Sequence, residues 1–342
     1  MKVTKTFLLC AMILPLLASC AKKQYYVEEG SIFHTIYHIK YEATKPLSDS
    51  IALELQKFDL SMNPFNNKSI IARVNHNENV EVNDWFIRVF NCAMKVSANS
   101  HGKYDITCAP LVNLWGFGFS KKDSVTPQVV DSLKQFVGYQ KVHLNGRKVV
   151  KDDPRLMLDC SSVAKGYASD VIAELLERNG VTNYMVEIGG EVTMSGKNER
   201  GEFWKIGIDK PIDDSTGVVN EVEEVIQLGK KGGIATSGNY RNYYIKDGKK
   251  YAHEIDPQTG YPAEQNILSA TIVAPNCMTA DAYATAFMVL GLDEARAMKA
   301  KVPEIEYFVI YVDEEGHERF DYSEGMVQYL PGRKGLTELE KP

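Results

Sequence analysis

Positive charge is in short supply: 39 Lys and Arg face 45 Asp and Glu over 342 residues, a net charge of −6. That deficit excludes nucleic acid as the main partner, because gripping a phosphate backbone takes a basic surface. Cysteine is scarce as well, with six residues, widely spaced and without a C-x-x-C pair. Such spacing builds neither a zinc site nor a disulfide scaffold. Cys92, Cys108, Cys160 and Cys277 read as buried thiols, with a single disulfide left open in an oxidising compartment. After the first twenty residues no apolar run reaches the roughly 20 residues of a spanning helix. There is no repeat of fixed period and no composition break that reads as a linker. What remains, 44% hydrophobic and 25% charged residues, is ordinary globular composition, not that of a disordered or collagenous chain. The length allows one large domain or two intimately joined ones.

The first twenty residues have a clear purpose. Lys2 and Lys5 precede a short apolar run, Phe7 to Leu17, which ends in Leu17-Ala18-Ser19-Cys20. The pattern is a secretion signal with a lipobox-like end, so residues 1–19 are expected to be removed and Cys20 lipidated. Loss of the two lysines takes the net charge to −8. The expected organisation is a signal at 1–19, a lipidated Cys20 with a polar tether to residue 30, and one domain over 31–342. The domain is thus expected outside the cytoplasm, in a bacterial cell envelope, tethered to a membrane by lipid.

Strand-like alternation runs from Ile32 to Tyr41, and Ser48 opens a helix with Ile51, Leu55 and Phe58 at helical spacing. Further helices are expected over 83–98, Pro127–Phe136, Ser161 to Gly180, Ala280–Leu290 with a Thr279 cap, and Leu292–Val302. Short strands are expected at Tyr184–Ile188, Glu191–Met194, Trp204–Ile208, Glu224–Leu228, Asn242–Lys246, Leu268–Val273, Tyr307–Val312 and Met326–Tyr329. Strands mostly succeed one another directly, which predicts antiparallel pairing and an α+β class.

Four segments can carry chemistry. Asp281 and Thr285 are four apart near a helix start, so they share a face. One carboxylate and one hydroxyl are hard ligands that suit Mg²⁺; the same pair also fits a first-turn acid and a packing hydroxyl. Asp159-Cys160-Ser161-Ser162 leads into Lys165-Gly166 at a helix start, where free amides hold anions, although the spacing is not a P-loop. Asp159 reads either as a helix-entry residue or as a ligand acceptor. Gly232 to Gly238 is a Gly/Ser stretch that lets backbone approach a ligand or simply connects strands. His253 precedes the turn Asp256-Pro257-Gln258-Thr259-Gly260 and is either a base near neutral pH or a structural residue.

In their order along the chain, five blocks resemble the ApbE family, the FAD:protein FMN transferases. They are Pro110–Gly118, Asp159–Ala168, Ile234–Arg241, His253–Gly260 and Ala280–Thr285. The resemblance spans roughly residues 30–330, and the lipobox fits it. It implies a T-fold-like α+β architecture of largely antiparallel sheets and packed helices, with FAD in a cleft. It also implies Mg²⁺ held near Ser162, through its backbone oxygen, and by Asp281 and Thr285 with Ala284 close by. Flavin and diphosphate contacts map to Phe33, Phe65, Lys103, Tyr104, Asp105, Asp159, Lys165 and Ile255. His253 matches the histidine that assists the transfer, beside Asp281 and Lys165. Three departures stand out: Phe33-His34-Thr35 replaces Met-Gly-Thr, Phe65 replaces a stacking Tyr, and Ser161-Ser162 replaces two glycines. The implied reaction moves FMN from FAD to a Ser or Thr hydroxyl of an exported protein and releases AMP. An FAD pyrophosphatase and a flavin-binding lipoprotein without turnover are the rival readings.

Overall fold

The computed structural model describes residues 22–119, 124–211, 222–239, 243–246 and 249–333. The signal segment, Cys20, Tyr240 and Arg241 lie outside the described residues.

The chain opens with a hairpin of β1 (Gln24–Ile32) and β2 (Thr35–Ala43). Helices α1 (Ser48–Met62), α2 (Ile70–Asn75), α3 (Asp84–Asn99), α4 (Ala109–Trp115) and α5 (Pro127–Lys134) follow, then a hairpin of β3 (Val142–Asn145) and β4 (Lys148–Lys151). Next come α6 (Ser161–Arg178), β5 (Tyr184–Ile188), β6 (Glu191–Ser195) and the hairpin β7 (Lys205–Asp209) and β8 (Val222–Gln227). The chain then forms β9 (Gly232–Gly238), a hairpin of β10 (Tyr243–Lys246) and β11 (Lys249–Ala252), and β12 (Ile267–Ala274). Helices α7 (Cys277–Leu290) and α8 (Leu292–Lys301) and strands β13 (Glu306–Val312) and β14 (Glu318–Tyr322) complete it.

Among the described residues, eight strands make one sheet in the order β1-β2-β5-β6-β9-β12-β13-β14, and every neighbouring pair is antiparallel. The α+β expectation is met. Side-chain alternation divides the sheet into two faces. On β12, Ile272 enters the large core that contains α6 and α7, while Val273 joins a second core with Trp204, Ile226 and Phe308. Helices α6 and α7 pack on each other and across the central strands, the start of α7 lying against Asp170 and Asp281 against Gly166 of α6.

Several expectations need correction. Residues 24–30, expected in the tether, belong to β1, the outer strand of the sheet. The α7 cap is Asn276, whose side chain accepts from the Thr279 N–H, so Thr279 lies inside the helix. Residues 324–329 form a 3₁₀ helix where a strand was expected at 326–329. All four described cysteines are free thiols.

Candidate active site

A cleft of about 970 Å³ opens between the N-terminal turn of α6, the Asp281–Thr285–Val289 face of α7, the β1–β2 turn, the β7–β8 hairpin and the 253–257 segment. Distant blocks are drawn together around it by ordinary packing. The Trp115 indole N–H donates to the Gly260 carbonyl at 2.9 Å, and its ring stacks on Tyr251. The Asp159 N–H donates to the Ile106 carbonyl at 2.7 Å, and the Asn75 side chain brackets Leu158 through both backbone groups. Lys103 forms an ion pair with Asp256 at 2.7 Å, joining the 103–105 loop to the turn after His253.

The electrostatic centre lies where α6 crosses α7. The Gly166 N–H donates to Oδ2 of Asp281 at 2.8 Å, and Asp281 is only 3% exposed. Lys165, one residue earlier, forms an ion pair with Glu191 of β6. Glu191 is 4% exposed, and its Oε2 has no hydrogen-bond partner. Burial pushes Asp281 above the usual carboxylate range, against the pull of Lys165 and the Gly166 N–H. Burial, and then the Asp281 charge, push Glu191 in the same direction. Burial alone would lower Lys165, but the Glu191 and Asp281 carboxylates override it and hold the ammonium above its ordinary value. One cation thus faces two buried carboxylates.

Around this centre are further hard oxygens. Thr285 lies 3.3 Å from Ser237 of β9 through the two hydroxyls, and the Ser162 hydroxyl donates to the Tyr104 phenol oxygen at 3.0 Å. Among the described residues no cluster of three or more His, Cys, Asp or Glu could hold a metal. The donor set is one carboxylate with hydroxyls, beside a lysine and a second buried carboxyl. This composition fits a hard divalent cation that completes its shell with water and phosphate oxygens, rather than a zinc-type site.

The expected site residues converge well. Phe33, Phe65, Lys103, Tyr104, Asp105, Asp159, Ser162, Lys165, His253, Ile255, Asp281 and Thr285 all line the cleft. Ala284 is not among the lining residues: it follows Asp281 by one turn, and its methyl group is fully buried in the main core. Asp105 lines the wall, with Oδ1 accepting from Thr107 and Oδ2 from the Tyr139 N–H, which ties its loop to residue 139. Asp159 serves the helix entry, with Oδ1 accepting from the Ser161 N–H at 2.8 Å. His253 packs edge-on against Phe117, with Nδ1 3.3 Å from the Glu254 carboxylate. Phe65, 49% exposed, sits at the cleft mouth with His34 and Phe119 against its ring.

Two sequence departures have structural explanations. Ser161 and Ser162 are in the first turn of α6 and have no need of positive φ, so glycine is dispensable there. Phe33 and His34 form the two-residue β1–β2 loop with φ of 53° and 59°, a turn that favours Asn-Gly and strains bulky residues. Sequence reasoning missed Glu191, Asp170, Ser237 and the pairing role of Asp256. Glu191 carried a faint signal, a carboxylate directly after Gly189-Gly190, but nothing in its spacing pointed to Lys165.

The profile of the ApbE family matches residues 33–309. A Vibrio cholerae protein named FAD:protein FMN transferase is 35% identical over 328 residues, covering 92% of this chain and 96% of its own. A Haemophilus influenzae protein of the same name is 36% identical over 315 residues, covering 87% and 90%. The solved flavin transferase ApbE from Vibrio cholerae superposes with a TM-score of 0.80 at 32% identity, covering 90% of this chain and all of that one. The ApbE protein of Thermotoga maritima superposes at 0.78 with 26% identity, covering 90% and 99%. With the family profile, the full-length relatives and the shared architecture in agreement, this chain belongs to the ApbE family.

Proposed function

We propose that this chain transfers the FMN half of FAD to a Ser or Thr hydroxyl of an exported protein, with a divalent cation of the Mg²⁺ type held by Asp281, Thr285 and the backbone oxygen of Ser162. The observation that carries this reading is the meeting of two buried carboxyl groups and one lysine on the cleft at the α6–α7 crossing. A flavin pocket alone has no need of that arrangement.

In the transfer, the acceptor hydroxyl oxygen bonds to the FMN phosphorus while the bond from that phosphorus to the bridging oxygen breaks. AMP leaves with the bridging oxygen. When bound, the cation neutralises charge on the diphosphate oxygens and aligns nucleophile and leaving group. Lys165, kept charged by its carboxylate neighbours, adds a fixed positive group on the same side. His253 takes the proton of the incoming hydroxyl at Nε2, since Nδ1 faces Glu254. Phe33 and Phe65 offer aromatic faces to the isoalloxazine. The Lys103–Asp256 pair holds the wall beside His253.

The test is incubation of the purified domain with FAD, Mg²⁺ and a candidate acceptor protein, followed by fluorescence of covalent flavin on a denaturing gel. Labelling that appears with wild type and is lost in Asp281→Ala supports the reading. Release of FMN and AMP at the same rate with and without acceptor assigns the site to a pyrophosphatase instead. Intact FAD after long incubation assigns it to a binding protein.

For location, the reading is a lipoprotein anchored through Cys20, supported by the lipobox-like run before it. Cys20→Ala should move the protein from the membrane fraction to the soluble envelope fraction; unchanged membrane association contradicts it.

A further inference from the structure

We infer that Asp170 is a positioning residue for the cation site, fixing the helix that bears Asp281 and Thr285 against the helix that bears Ser162 and Lys165. The inference rests on the metal reading above. Asp170 lies on α6, 7% exposed. Its Oδ1 accepts from the Cys277 N–H at 2.9 Å and from the Thr193 hydroxyl at 2.8 Å. Its Oδ2 accepts from the Met278 N–H at 2.8 Å.

A helix N-terminus ordinarily takes its cap from the residue just before it, and Asn276 does this for Thr279. The two N–H groups ahead of Thr279 are met by Asp170, 107 residues away from Cys277 and on another helix. Along α6, Gly166 and Asp170 are one turn apart on a single face. Along α7, Cys277 and Asp281 are likewise one turn apart. Gly166 therefore meets Asp281 where Asp170 meets the helix start. Two contacts a turn apart set both the rotation and the axial register of α7, and Thr285 follows Asp281 by one further turn. Close approach is built into the crossing: a Cβ on Gly166 would lie 2.4 Å from the Cys277 carbonyl oxygen and 2.7 Å from the Asp281 Cβ. Burial pushes Asp170 up to about 6 while its hydrogen bonds oppose the rise, so it is ionised at neutral pH and complements the helix dipole.

Asp170→Asn replaces one accepting oxygen by an NH₂ group that meets an N–H donor, so α7 shifts while the volume is kept. Asp170→Glu keeps the charge and displaces it by one methylene. The measurement is Mn²⁺ affinity by electron paramagnetic resonance at 25 °C, with and without FAD, on variants whose circular dichroism matches wild type. A loss on the order of tenfold is expected in whichever Asp170 variant folds, as is usual when a support behind a metal ligand is removed. Met326→Ala, a cavity variant in the second core, should melt earlier yet keep wild-type affinity. Asp170 variants that fold and bind Mn²⁺ like wild type overturn the positioning role and leave the metal reading intact. Failure of both Asp170 variants to fold, while Met326→Ala folds, makes Asp170 a fold determinant and also overturns it. No Mn²⁺ binding by wild type overturns the metal reading and this inference with it.

Discussion

Gly166 donates its backbone N–H to Oδ2 of Asp281 at 2.8 Å, a contact open only to a residue without a side chain. Gly166→Ala should therefore drive α6 and α7 apart. Overpacking of this kind costs about 1–3 kcal/mol of stability. A shift of the cation-holding carboxylate should slow flavin labelling on the order of 10²-fold. Thermal melting and the gel assay check the two effects separately. Labelling at the wild-type rate would show that the close crossing is not needed for transfer.

A second expectation concerns the β1–β2 turn. His34 holds φ of 59°, which costs a side chain roughly 1–2 kcal/mol that glycine does not incur. His34→Gly relieves that strain and loses the ring contact with Phe65, whose centroid is 4.9 Å away. The net expectation is a gain of about 1 kcal/mol, read as a higher melting temperature. A lower one would mean that the Phe65 contact outweighs the strain.

The sequence revealed elements with a strong period and missed those whose cause lies elsewhere in space. Helix α3 was legible because Trp85, Val89, Cys92 and Val96 form one stripe. Strand β1 was not, because an edge strand with Glu28, Glu29 and Gly30 has no apolar alternation of its own and is held by β2. The α7 start was hidden because Cys277 and Met278 look like strand residues and both of their N–H groups are capped by Asp170, on another helix. The same reason governs the site. Asp281, Thr285 and Lys165 stood in local motifs, whereas Glu191 matters only because β6 brings it to Lys165. Ala284 shows the converse: adjacency in sequence to Thr285 does not turn a helical side chain into the cleft.

The buried acids give the metal-free protein a pH dependence with a definite sign. Asp170 titrates near about 6 in the folded state, above the value of about 3.9 for an unfolded Asp. Its contribution is fully present below about pH 4 and is lost as pH rises through about 6. Glu191 shifts the same way, through burial first and then Asp281, against the attraction of Lys165. Glu177, Glu199 and Glu304 are shifted down, so their contributions are complete above about pH 4.5 and do not reverse the slope. In EDTA the melting temperature should fall between about pH 5 and pH 8. The increment from added Mg²⁺ should grow as pH rises, because the Asp281 carboxylate, raised by burial, binds in its ionised form. Melting curves across that range, with EDTA and with Mg²⁺, check both. A rising EDTA curve would contradict the assignment of buried, raised carboxylates.

The most direct measurement is a crystal structure of the domain with FAD and Mn²⁺, using anomalous scattering to locate the metal. The account predicts one peak bonded to the Asp281 carboxylate, the Thr285 hydroxyl and a diphosphate oxygen of FAD, with Lys165 on the same side. A flavin seated in the cleft with the anomalous peak elsewhere, or with Asp281 still enclosed by α6 and away from both phosphorus atoms, would contradict it.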